Sequence, residues 1–154
     1  MNSDFNDLLK AFNENQVKYL IISGYAVMEY AEPRFTKDLD IWIKSDLDNA
    51  ERVFKSLSEF GAPLTGLTPE DFTEEGAFYR MGVPPVMVDV LFSLKNLSFD
   101  AAWERRHDSE DNGILLHFIS KDDLITSKLA SGRPQDLLDA QNLQLPVYSP
   151  DKFQ

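Results

Sequence analysis

The chain has 154 residues, with 15 Lys+Arg against 26 Asp+Glu, a net charge of −11 and no cysteine. This length predicts a single domain, residues 1–154, able to bury a core without covalent staples. Zero cysteine excludes disulfides, thiolate metal sites and cysteine nucleophiles. With only two histidines, His-rich metal centres are disfavoured, and the acidic balance disfavours indiscriminate nucleic-acid binding.

Phe5, Leu8, Leu9 and Phe12 form one stripe of an amphipathic helix capped by Ser3 or Asp4. Val17 to Ile22 reads as a buried strand, broken at Ser23-Gly24, and Tyr25 to Tyr30 as a helix that ends before Pro33. From Asp38 to Lys44 the chain alternates. Leu39, Ile41 and Ile43 lie on one face, Asp38, Asp40 and Trp42 on the other. Asp46 caps a helix with the stripe Leu47, Ala50, Val53, Phe54, Leu57 and Phe60, stopped by Gly61. Thr68 to Asp71 is a short helical start with Pro in its first turn.

Ala77 to Gly82 and Val86 to Phe92 predict two strands around the turn Gly82-Val83-Pro84-Pro85. A helix at Phe99–Arg106 and a strand at Gly113–Ile119 follow. Ser120 to Asp123 opens a further helix, with Asp123 as capping-box partner, running to Gly132. Pro134 begins the last, through about Leu143. Strands interleaved with helices predict an α/β (α+β) fold, a mixed central β-sheet flanked by helices, with a C-terminal helical segment. The longest apolar runs fall short of a membrane span, and the N-terminus lacks a basic stretch followed by an apolar one. A cytoplasmic protein is therefore expected.

Asp38 and Asp40 project from the same strand face, so their like charges repel unless solvent, a cation or a divalent metal relieves them. Leu39 and Ile41 anchor the strand behind them. Asp89 sits within the apolar run Val86–Phe92, where a charge must be paired or bound to metal. A solvated strand end and a buried hydrogen-bonded acid are the simpler readings of these residues taken singly. Taken together they favour oxygen-only ligation of Mg²⁺ or Mn²⁺. The strand–Ser23-Gly24–helix step allows backbone N–H groups to approach phosphate, although taken by itself a tight strand-to-helix turn is the better explanation.

The series Ser23-Gly24-Tyr25-Ala26-Val27, Arg34, Thr36-Lys37-Asp38-Leu39-Asp40-Ile41 and Val88-Asp89-Val90-Leu91 resembles the nucleotidyltransferase superfamily of the DNA polymerase β type. Within it, small bacterial stand-alone members and AbiEii-like toxin relatives are the most similar. Lys128 and Gly132-Arg133-Pro134-Gln135-Asp136-Leu137 with Asp139 resemble their C-terminal segment, so the likeness covers nearly the whole chain. Ser23 stands where the family commonly has the first Gly of a pair, and Glu29-Tyr30 where relatives often carry a His-Gly-like pair.

The resemblance implies the nucleotidyltransferase fold and two-metal transfer of an NMP from an NTP, such as ATP, to an acceptor hydroxyl on a protein, small molecule or RNA, with release of pyrophosphate. It implies that Asp38, Asp40 and Asp89 are catalytic and hold the metal. Ser23, Gly24, Lys37, Lys128 and Arg133 would bind nucleotide, with Arg34 a further pocket candidate. From the residues alone, Lys128 could equally be a snorkelling lysine, and Arg133 a structural partner of Asp136. Trp42, Tyr25, His107 and His117 are expected to be structural. A non-catalytic or regulatory member of a toxin–antitoxin pair, acting by protein binding, is the alternative function. The small size suggests a protein partner or a homodimer, and the acidic surface makes nucleic acid the less natural acceptor.

Overall fold

A computed structural model describes residues 1–31, 38–83 and 86–145. In chain order the elements are α1 (Ser3–Glu14), β1 (Tyr19–Ile22), α2 (Ser23–Tyr30), β2 (Asp38–Ile43) and α3 (Leu47–Phe60). A 3-10 turn (Pro69–Thr73) leads to β3 (Phe78–Val83), β4 (Val86–Leu91), α4 (Phe99–Glu104), β5 (His107–Asp111), β6 (Ile114–Phe118), α5 (Lys121–Ser131) and α6 (Pro134–Gln144). The six strands form one sheet in the order β3-β4-β2-β1-β6-β5. β1 runs antiparallel to β2 and parallel to β6, and β2 runs parallel to β4, so the sheet is mixed as its sequence predicts.

Local chemistry sets the boundaries. Asn2, rather than Ser3 or Asp4, caps α1, its Oδ1 accepting from the Asp4 N–H at 2.7 Å. Asp46 accepts from the Asn49 N–H at 2.8 Å, and Gly61 closes α3 with φ of 92°, a left-handed conformation open to glycine. At α5, Ser120 caps as expected, but the Asp123 carboxylate turns away from the capping box to a two-point pair with Arg105 at 2.9 and 3.0 Å. The sequence reading lacked β5. Its strand and β6 are joined through Asn112 and Gly113, both at positive φ, the conformation of a tight hairpin turn.

The core fills one face of the sheet. Leu39, Ile41, Val88 and Val90 are buried there, and Phe72 joins Phe54 of α3 to Tyr79 and Phe92. α1 packs beside α3, their contact including a bond from Asn15 to the Ser56 hydroxyl. On the opposite face Trp42 is buried beneath Phe99 of α4, as the core role expected of it requires. α2 leaves the end of β1 and lies against β1, β2, α5 and α6. Among the described residues no helix is long and apolar enough to cross a membrane.

Candidate active site

Sheet register builds the site. Three cross-strand rows project from the face that carries Trp42. The first joins Asp38, Met87 and Gly82, the second Asp40, Asp89 and Arg80, the third Trp42, Leu91 and Phe78. Alternation along β2 sets Asp38 beside Asp40, and the parallel pairing of β2 with β4 sets Asp89 directly beside Asp40. On the other side of Asp40 is Ile22, the last residue of β1, so the first turn of α2 opens next to the carboxylates. Residues far apart in sequence thus meet at one end of three adjoining strands.

Ser23 begins α2 with φ of 59°. That left-handed conformation is the one glycine adopts without strain, the residue that the resemblance implies at this position. Serine accepts the strain and sets its hydroxyl beside Asp40, where it favours the charged carboxylate. Burial nevertheless dominates and pushes the Asp40 carboxyl above the ordinary carboxylate range. Asp89 and Asp38 add to the rise through charge repulsion, and Lys128 opposes it. Gly24 is buried, and α2 has no side-chain cap, so its first-turn N–H groups face the site end without a capping side chain.

Asp89 is paired in the way its apolar strand demands. Arg80 Nε donates to Oδ1 at 2.7 Å and Nη2 to Oδ2 at 3.0 Å. Sequence reasoning missed Arg80. The signal was its register across the predicted β3–β4 hairpin, which fixes which basic residue stands opposite Asp89.

Lys128 and Arg133 are placed at the α5–α6 junction. The Lys128 ammonium is buried between Asp136 at 2.9 Å and Asp139 at 3.2 Å. Ser131 donates to Asp136, and Arg133 Nε reaches the same carboxylate at 2.9 Å. Burial alone would raise the Asp136 carboxyl. The Ser131 and Lys128 hydrogen bonds, with the charges of Lys128 and Arg133, overcome it and hold the group below the usual range. Arg133 is otherwise largely exposed. Lys37 and Arg34 lie outside the described residues. His107 bonds Glu29 at 3.1 Å and His117 bonds Asp108 at 2.6 Å.

The donors suit a hard divalent cation by type: carboxylate oxygens on rigid strands, with a half-buried carboxyl that gains from added positive charge. Their side chains are not closed into a cage. Among the described residues no three His, Asp or Glu side chains converge in a metal-holding group, and Asp89 is turned to Arg80. An apolar groove lined by Phe5, Phe60, Met81 and Val88 belongs to the other face of the sheet.

The mixed six-stranded sheet with its flanking helices is the nucleotidyltransferase fold that the solved structures below share. The chain belongs to the family described as "Nucleotidyltransferase of unknown function (DUF6036)", whose model matches residues 3–147. No curated protein sequence matches it. Solved structures with the same fold include the lincosamide antibiotic adenylyltransferase LnuA bound to lincomycin. It is 16% identical with a TM-score of 0.60, over 94% of this chain and 96% of that one. ANT(2")-Ia in complex with adenylyl-2"-tobramycin is 12% identical with a TM-score of 0.58, over 90% and 84% of the two chains. An antigenic nucleotidyltransferase-like protein from Paracoccidioides brasiliensis is 18% identical with a TM-score of 0.55, over 90% and 72%.

Proposed function

We propose that the protein is a divalent-metal-dependent nucleotidyltransferase that moves an NMP from an NTP to a hydroxyl on a small molecule. The carrying observation is the side-by-side register of Asp40 and Asp89 with Asp38 two residues away on the same face. Asp38, Asp40 and Asp89 would hold Mg²⁺ or Mn²⁺. Such ions, when bound, lower the pKa of an acceptor hydroxyl and neutralise charge on the triphosphate. The acceptor oxygen forms a bond to the α-phosphorus as the bond to the pyrophosphate oxygen breaks. Asp89 takes the acceptor's proton. The Ser23 hydroxyl and the first-turn N–H groups of α2 hold phosphate, with Gly24 keeping the approach clear.

Lys128 serves this site from behind in our reading. It clasps Asp136 and Asp139, holds α5 to α6, and offsets charge at Asp40. Arg133 and Lys37 remain candidates for the triphosphate. A small-molecule acceptor is favoured because neighbours of this fold carry antibiotics, lincomycin in one and adenylyl-tobramycin in another. The net charge of −11 also suits a cationic or neutral acceptor better than a polyanion.

The test is incubation with each α-labelled NTP, Mg²⁺ or Mn²⁺, and either a panel of hydroxylated small molecules or a cell lysate, beside the Asp38→Ala/Asp40→Ala variant. Label transferred by the wild type alone supports the reading and identifies the acceptor class. No transfer, together with no metal-dependent NTP binding, refutes it.

A further inference from the structure

Arg80 occupies both oxygens of Asp89, the carboxylate that the proposed reaction needs as a metal ligand and proton acceptor. β3 is the edge strand of the sheet, and the Arg80 side chain is 52% exposed whereas that of Asp89 is 17% exposed. The two-point fork is the stronger kind of ion pair, but its guanidinium half stands in solvent, so water can take over the N–H groups that the carboxylate releases. The same guanidinium carbon lies 5.4 Å from the ring centroid of Phe78, itself on the same strand face and 55% exposed, a contact that persists without the carboxylate. A guanidinium and a divalent cation on one carboxylate repel each other, so the two compete for Asp89.

We propose that Arg80 is a displaceable counter-ion: it neutralises Asp89 before a divalent cation binds, and gives up the carboxylate while staying against Phe78 when Asp89 becomes a ligand. Arg80 therefore limits the cation affinity of the site and keeps three neighbouring carboxylates from destabilising the empty sheet. This inference rests on the reading of Asp38, Asp40 and Asp89 as metal ligands.

Titration with Mn²⁺ alone, followed by electron paramagnetic resonance, tests it without any need for turnover. Arg80→Gln should bind Mn²⁺ about twofold to fivefold more tightly than wild type. Arg80→Lys, which keeps the charge but lacks the fork, should fall between them. In thermal melts Arg80→Gln should lose stability without Mn²⁺ and regain it with Mn²⁺. Equal or weaker Mn²⁺ binding by a folded Arg80→Gln overturns the inference and leaves the metal-site reading standing. Absence of Mn²⁺ binding in every form overturns both.

Discussion

Asp40 carries opposing demands. Burial and two acidic neighbours favour its neutral form, whereas ligation of a cation requires its charge. A carboxyl whose folded-state pKa is raised contributes its full stability below the unfolded carboxylate range and loses it as pH rises through the folded value. Asp40→Asn should therefore become progressively more stable than metal-free wild type as pH rises from about 4. Urea unfolding across that range measures the difference, and a flat difference would contradict the assignment. The same variant should lose at least about a hundredfold in NMP transfer, measured with labelled NTP. Ser23→Gly makes the opposite kind of test, because it relieves the left-handed strain and should stabilise the fold by up to about 1 kcal/mol, read from the urea midpoint. A clear loss would mean that the hydroxyl beside Asp40 outweighs the strain.

At the level of elements, the α5–α6 clasp and the β3–β4 hairpin matter most. Lys128→Met would leave Asp136 and Asp139 buried without their shared cation and should cost about 3–5 kcal/mol in denaturant unfolding. A loss below 1 kcal/mol would return Lys128 to the alternative of a solvated phosphate ligand. Gly82 has φ of 88°, and a Cβ there would strike the Val86 carbonyl, so Gly82→Ala should destabilise the hairpin that sets Arg80 opposite Asp89. We expect a cost of about 1–3 kcal/mol in the same measurement. The sequence made β2 and β4 legible because alternation and an apolar run report the two kinds of strand directly. It made the three aspartates legible as candidates, but their adjacency depends on the parallel register of β2 with β4, which no local pattern encodes. β5 was missed because His107–Asp111 is a polar edge strand without apolar alternation, although Asn112-Gly113 is a strong hairpin signal. Arg80 follows from the register of the β3–β4 hairpin alone, whereas the burial of Lys128 depends on α6 folding back on α5.

For the whole molecule, the net charge of −11 and the site have different meanings. The total describes an acidic surface that repels a triphosphate, so nucleotide binding must be supported locally by α2, basic side chains and added cations. Arg80, Arg133 and Lys128 all spend their charge on carboxylates of the same chain. The most direct test of the central claim is calorimetric titration of ATP and the other NTPs into wild type and Asp38→Ala/Asp40→Ala, with Mg²⁺ and with chelator. Nucleotide binding by wild type that requires Mg²⁺ and vanishes in the double variant is the predicted result. Equal binding with and without Mg²⁺, or binding retained by the variant, would contradict a carboxylate-held, metal-dependent nucleotide site.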